Sequence, residues 1–435
     1  MNLVSTSFFS ALAVLTKLAT SLFLNKVLAV YVGPAGYGVI GQLQSLITVV
    51  TTFASGAVNT GVTKYTAEFA KSPARQRALW TTAATMGLIG AAVLAGLLLL
   101  ARDPLSRWLL DGPQHSAVLI WLAFALPLLV LNGLMLAIMN GRKAVRALVA
   151  ANIVGSLISA CVAGSLVMFG GLSGALIALA ISQAIACGFT AWLFQRACSV
   201  RWRELLGRLD LTIAKLLGGF ALMAGTSAIV SPLSQMIIRD RFAAHLGWDT
   251  TGLWQALGKV SETHLLLLTS TLSVYFLPRF SEIQDGAELR REVFKGYFFV
   301  LPVVLTSAAG LYLFRHQLVL TLLSEQFMPL TDVLGIQLIG DVFKIGSWVM
   351  AFTMVSHAQT RVFVVTEIAF ASFLVLTTLT LGERFGLRGA ASAYALTYAL
   401  YWLAMMWVFG RLISRLKVDG GLAHDAGKRE ETLPA

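Results

Sequence analysis

Long apolar blocks, each about as long as a bilayer is thick, constrain this chain more than any motif does. A helix crossing the hydrocarbon core needs roughly 20 residues at about 1.5 Å each. Segments of that length or more recur at 4–32, 35–63, 78–101, 115–140, 146–169, 172–196, 211–238, 249–277, 294–314, 329–357, 361–381 and 387–411. The break between the first two is placed at Gly33-Pro34-Ala35-Gly36, which is turn chemistry. Charged residues make up 12% of the 435 positions, against about 25% in soluble domains. That leaves too little polar surface to cover a water-soluble core. The chain therefore reads as an all-α integral membrane protein with roughly twelve transmembrane helices.

The charges that remain set the orientation. Loops after the even-numbered spans, with the C-terminal tail, hold 21 of the 33 lysines and arginines, the other loops 7 and the spans themselves 5. By the positive-inside rule both termini face the cytoplasm. The net charge of +12 would suggest nucleic acid in a soluble protein. Here its placement is explained by topology, and no nucleic-acid partner is expected.

Two halves of the chain resemble each other. Gly171-Leu172-Ser173-Gly174-Ala175 returns as Gly386-Leu387-Arg388-Gly389-Ala390, and Arg146 as Arg361. Gly38, Gln42 and Lys64 have counterparts near Gly252, Gln255 and Arg279. An even number of spans per half makes these parallel repeats, an arrangement that suits alternating access around a central cavity. The expected organisation is a six-helix lobe at 1–196, a cytoplasmic connector at 197–210, a second six-helix lobe at 211–415 and a disordered cytoplasmic tail at 416–435. Arg201-Trp202-Arg203 in the connector suits the membrane interface.

Ionisable residues inside the spans carry the functional signal. They are Lys17, Lys26, Lys215, Lys259 and Lys344, with Glu262, His264, Asp341 and Glu367. A charge at the helix centre costs roughly 2.5–3.5 kcal/mol on insertion scales, so each should face a wet cavity, a partner or the interface. Lys26 and Lys215 lie near span ends and can snorkel. Lys17 lies about 20 Å into its helix and cannot easily do so. Lys259 with Glu262, and Asp341 with Lys344, are three apart on one helix face, a spacing that permits intrahelical pairing. Glu367 has either Lys344 across helices or a proton as its partner. Positive charge exceeds negative in this set, so a cavity lined by it favours an anion. A pump for cationic drugs would bury more acid.

No catalytic or cofactor signature competes with this reading. Gly36-Tyr37-Gly38-Val39-Ile40-Gly41 matches a dinucleotide fingerprint but opens a membrane helix without a preceding strand. Phosphate-loop and zinc-protease patterns are missing, and Cys161, Cys187 and Cys198 lack metal-ligand spacing. No cofactor, metal or enzymatic activity is expected. The N-terminal segment reads as a retained helix, since it has no basic residue before its apolar run.

Several stretches resemble a known family. They include Lys26-Val27-Leu28-Ala29-Val30, Gly33-Pro34-Ala35-Gly36-Tyr37-Gly38, Asn59-Thr60-Gly61-Val62-Thr63-Lys64-Tyr65 and Trp254-Gln255. Others are Ser273-Val274-Tyr275-Phe276-Leu277-Pro278, Arg291-Glu292-Val293-Phe294-Lys295 and Gln337-Leu338-Ile339-Gly340-Asp341-Val342-Phe343-Lys344. To about residue 415 the chain resembles the Wzx-type polysaccharide flippases of the MOP exporter superfamily, most of all those of enterobacterial common antigen and O-antigen synthesis. The resemblance implies a MATE-like fold of two lobes in the bacterial inner membrane. It implies a substrate, an oligosaccharide repeat unit on undecaprenyl pyrophosphate, moved to the periplasmic leaflet. A polysaccharide polymerase and a chain-length regulator are implied as partners. Lys17, Lys26, Lys64, Lys215 and Lys259 become candidate pyrophosphate cations. Gln42, Gln44, Asn59, Trp254 and Gln255 are candidate sugar contacts. Glu262, His264, Asp341, Lys344 and Glu367 are candidates for ion coupling. The alternatives are a MATE-like exporter of small molecules and a membrane scaffold of a glycan assembly complex.

Overall fold

Four of the longest helices bend at a glycine that no L-residue replaces easily. A computed structural model describes the backbone of residues 3–431 except 199, 201–204, 206, 208, 284 and 358, and side chains except also 3–13, 219–224, 267, 271, 274, 277 and 415–431. Helix α1 (Leu3–Ser55) breaks at Gly33, φ 68°. Helices α6 (Val145–Cys198), α7 (Leu211–Thr271) and α12 (Thr360–Glu431) break at Gly171, Gly247 and Gly386, with φ of 53°, 82° and 60°. Positive φ costs an L-residue about 1–2 kcal/mol and glycine almost nothing. At Gly33 the following Pro34 adds a second reason for the break, since it supplies no amide hydrogen.

The eight segments so produced, with α3 (Pro73–Leu100), α5 (Ser116–Gly141), α9 (Gly286–Leu313) and α11 (Leu334–Ser356), follow the expected spans, except that the second, expected to reach 63, ends at Ser55, where Gly56 and Ala57 adopt positive φ. The other α-helices are short: α2 (Asn59–Glu68), α4 (Arg102–Leu109), α8 (Leu277–Glu282) and α10 (Arg315–Leu322). No strand occurs among the described residues. Among the described residues, seven helices are long and apolar enough to cross a membrane by length and composition. The protein is a multi-pass membrane protein, and large apolar side chains such as Leu100 and Phe169 are exposed on its helices, as a lipid solvent permits.

The repeat in the sequence is a repeat of elements. Gly33 and Gly247 lie 214 positions apart, Gly171 and Gly386 215. Helices α3 and α9 both have 28 residues, and α4 and α10 both have 8. Each later member of those pairs starts 213 positions after its counterpart. The short helices α4 and α10 were not anticipated from hydropathy, because eight residues are too few to register as a span.

Two further differences separate structure from expectation. Span 7 was ended at 238 before Arg239-Asp240-Arg241, yet α7 stays helical to Gly247; a helix accepts charge when neighbouring helices satisfy it. Backbone helix in α12 continues to Glu431, through the stretch read as a disordered tail. Residues 201–203 of the connector lie outside the described residues.

The chain divides into two compact units, Met1–Gln255 with Val319–Phe327, and Ala256–Leu318 with Met328–Ala435. In the first, Trp80, Leu79, Ile138 and Phe194 form a buried core among α3, α5 and α6. In the second, Phe280, Val293, Val300, Ile345 and Val349 do so among α8, α9 and α11. Within the first unit the segments after Gly33 and Gly247 cross closely. A side chain at Gly252 would overlap the Pro34 carbonyl, and one at Gly38 would stand 3.0 Å from the Gly252 nitrogen.

Candidate functional site

That close crossing brings Gln42 of α1 and Gln255 of α7 to a common partner, Arg239. Its Nε donates to Gln42 Oε1 at 3.1 Å, and one terminal nitrogen donates to Gln255 Oε1 at 2.7 Å. The other donates to Ser45 Oγ. Gln42 Nε2 in turn donates to the Met236 carbonyl at 3.2 Å. Arg239 is 2% exposed and Gln42 fully buried. The fork geometry of guanidinium explains how one cation engages three side chains at once. Hydrogen bonds to a charged group are stronger than those between neutral groups, so this cluster ties α1 to α7 within the first unit. Trp254 belongs to the same packing: its Nε1 donates to Gln235 Oε1 at 3.1 Å, and its ring meets Phe242 edge-on.

A second cluster, in the other unit, is built on a carboxylate. Asp341 of α11 is fully buried. Its Oδ1 accepts from the Tyr394 hydroxyl at 2.9 Å, and its Oδ2 lies 3.1 Å from His264 Nδ1. His264 Nε2 lies 2.8 Å from Ser307 Oγ. Ser307 also reaches the Val304 carbonyl at 3.1 Å. Its hydroxyl can donate to a neutral imidazole, or donate to Val304 and accept from a protonated one. Both ring nitrogens of His264 thus have a hydrogen-bond partner. Lys344, one turn from Asp341, lies 5.1–5.6 Å from the ring centroids of Trp348, Tyr394 and Tyr398, within cation–π range. Beside it, Trp402 donates to the Tyr297 hydroxyl and that hydroxyl donates to the Gly346 carbonyl. Gln337, a turn before Asp341, donates to Ser261 Oγ at 2.9 Å. Its own Oε1 is buried without a hydrogen-bond partner among the described residues.

The i,i+3 readings divide. Lys259 and Glu262 do pair, at 2.7 Å. Asp341 turns instead to His264 and Tyr394 on other helices, while Lys344 turns to aromatic rings. The cause is spatial: Tyr394 approaches α11 so closely that a side chain at Gly340 would overlap its ring. Glu367 lies within electrostatic reach of Tyr401. Lys26 does more than snorkel. Its Nζ donates to the Leu320 and Leu323 carbonyls, each at 2.6 Å, neutralising the C-terminal end of α10. Lys17, Lys64 and Lys215 are exposed, and Gln44 and Asn59 are half-buried. Lys17, Lys26, Lys64 and Lys215 belong to the first unit and Lys259 to the second.

Arg239, Tyr394 and Ser307 were missed from sequence. Arg239 falls one residue beyond the span placed at 211–238 and so counts among the loop arginines. Its signal was present in the pattern: a cation eight residues before a helix-breaking glycine still lies two turns inside the helix. Tyr394 and Ser307 carried no comparable mark.

The family described as polysaccharide biosynthesis protein matches residues 27–332. The lipid III flippase of Escherichia coli (strain K12) is 31% identical over 409 residues, covering 94% of this chain and 98% of that protein. A putative O-antigen transporter of Shigella flexneri is 25% identical over 342 residues, covering 74% and 77%. An inward-facing multidrug-resistance MATE transporter of the MOP superfamily superposes with TM-score 0.73 at 14% identity, covering 92% of this chain and 95% of that one. A MOP superfamily transporter from Pyrococcus furiosus superposes with TM-score 0.69 at 12% identity, covering 95% and 96%. At such identities the structural likeness establishes the MATE-type fold and nothing further.

Proposed function

The chain belongs to the polysaccharide biosynthesis protein family, and from that premise we propose that it is a flippase for a polyprenyl-pyrophosphate-linked oligosaccharide. The observation that carries the reading is end-to-end similarity to the lipid III flippase, over 94% of this chain. The work is transport, with no bond made or broken in the substrate. The headgroup moves from the cytoplasmic to the periplasmic leaflet of the bacterial inner membrane, both termini of the protein lying in the cytoplasm. The six-helix repeats act as lobes that rock about the connector at 197–210, giving alternating access.

Lys17, Lys64 and Lys215 attract the diphosphate, together with Lys259. Lys26 is held by α10 and secures that helix end. Gln44 and Asn59 are open to sugar hydroxyls, whereas Gln42, Trp254 and Gln255 are engaged inside the first unit and serve its packing. The His264–Asp341 network takes up the ion that biases transport, with Lys344 as the fixed charge beside it and Glu262 and Glu367 as further carboxylates. A polymerase consumes the product, with a chain-length regulator as its companion.

The test is depletion of the protein, with identification of the lipid-linked glycan that accumulates. The expected result is an undecaprenyl-pyrophosphate-linked repeat unit on the cytoplasmic face. Paired Lys17→Ala and Lys259→Ala variants should slow flipping in proteoliposomes, and normal flux in both would remove the cationic-cavity mechanism. Drug efflux with no effect on lipid-linked glycan would favour a small-molecule exporter instead.

A further inference from the structure

Helices α3 and α9 occupy the same place in the two repeats, yet one face of each is finished differently. On α3 the positions Ala78, Thr81, Thr82 and Thr85 are small or hydroxylated and at least half-buried. The chain entering α7 lies against them. Thr85 Oγ1 donates to the Gly207 carbonyl at 3.3 Å, and the Asp210 amide donates to Thr82 Oγ1 at 3.1 Å. On α9, 213 positions later, the equivalents are Arg291, Phe294, Lys295 and Phe298, with Arg290 in place of Arg77. All five are exposed, and with Ala287 they line an open depression of about 570 Å³. The opposite face of α9, with Leu289, Val293 and Val300, is packed into the core of its unit.

The depression is ordered by depth. Arg290 and Arg291 lie in the first turns of α9, and Phe298, 86% exposed, lies about 12 Å farther along the axis. Lys295 is partly neutralised by Glu292 at 3.2 Å. No carboxylate lies within ion-pair distance of Arg290 or Arg291 among the described residues. Arg290 instead stacks over the Phe294 ring at 5.8 Å. On the topology proposed above these arginines form a basic rim at the cytoplasmic interface with an aromatic ladder beneath, which matches an amphiphile with a multiply charged anionic head. Paired guanidinium forks favour a diphosphate over the single charge of a common anionic phospholipid.

We infer that this face of α9 is a docking site in the cytoplasmic leaflet for a polyprenyl diphosphate. Arg290, Arg291 and Lys295 engage the diphosphate, and Phe294 and Phe298 engage the first isoprene units. The inference rests on the proposed flippase function and places the lipid part of that substrate before translocation.

The test uses the full-length protein in detergent and undecaprenyl diphosphate without sugar, with binding read by native mass spectrometry against phosphatidylglycerol. The Arg290→Gln/Arg291→Gln variant should bind the diphosphate about tenfold or more weakly, since each charge-assisted contact is worth about tenfold. Phosphatidylglycerol binding should be unchanged. Undiminished diphosphate binding in a variant that melts with the wild type overturns the site. So does parallel loss of phosphatidylglycerol, which would make the face a general phospholipid surface. If the glutamine variant melts lower, Arg290→Lys/Arg291→Lys, which keeps the charge and loses the fork, should still bind about threefold more weakly, and wild-type affinity there overturns the site. Glycan flipping by the wild type is measured alongside. Absent flipping with Arg-dependent binding defeats the function and leaves the site; intact flipping with Arg-independent binding defeats the site and leaves the function.

Discussion

The Arg239 and Asp341 clusters are both buried charges inside membrane helices, and they are satisfied in opposite ways. Arg239 is surrounded by the neutral acceptors Gln42, Ser45 and Gln255. A guanidinium in such a setting keeps its charge at any physiological pH, so the cluster is a fixed tie between helices. Asp341 is surrounded by His264 and Tyr394, with Lys344 one turn away. Unlike the amides and hydroxyl around Arg239, these partners are themselves ionisable side chains. The lesson is that a buried charge is read through its partners: neutral acceptors at Arg239 suit a joint, and ionisable partners at Asp341 suit the ion-coupling role proposed above.

The comparison breaks most readily at Asp341. Asp341→Ala strands the Tyr394 hydroxyl and His264 and leaves Lys344 without the nearby carboxylate. The expected cost is about 3–5 kcal/mol, read as a large fall in melting temperature in detergent. Asp341→Asn keeps an acceptor for Tyr394 and should cost about half as much. It should nevertheless abolish any response of flipping to an imposed pH gradient, and a retained response would show that the switch lies elsewhere.

Arg239→Met comes next. Three acceptors lose their donor, at about 2–4 kcal/mol in total after repacking, and the loss should be equal at pH 5 and pH 8. A pH-dependent loss would make the two clusters alike. Arg239→Lys should recover only part, since an ammonium cannot fork. Lys344→Met removes a cation from three aromatic faces and should cost about 1–2 kcal/mol. Lys26→Met leaves two α10 carbonyls without their cation. The expected effect is the smallest, about 1 kcal/mol, seen as faster hydrogen exchange confined to residues 315–323. Exchange rising throughout the first unit would mean that Lys26 holds more than a helix end.

Much of the architecture was legible because its causes are local. Gly33-Pro34, Gly171 and Gly386 mark breaks that the chain must make, and hydropathy marks what lies between them. The Lys259–Glu262 pair was legible too, being one turn apart on one helix. Asp341 and Lys344 have the same spacing and behave otherwise, because Tyr394 and His264, far away in sequence, arrive first. Gln42 and Gln255 looked available to sugars, and a distant arginine claims them. The short helices α4 and α10 were invisible to a criterion built on bilayer thickness.

What the sequence alone determined is the membrane class, the span boundaries set by glycine and proline, the repeat, and which charges must avoid lipid. These follow from transfer energies and backbone sterics, which act residue by residue. Tertiary structure decided which partner each buried charge takes. It also decided that one face of α3 is covered while its repeat on α9 is open. Those outcomes depend on which helices approach within hydrogen-bonding distance, and no pattern confined to one helix contains that information.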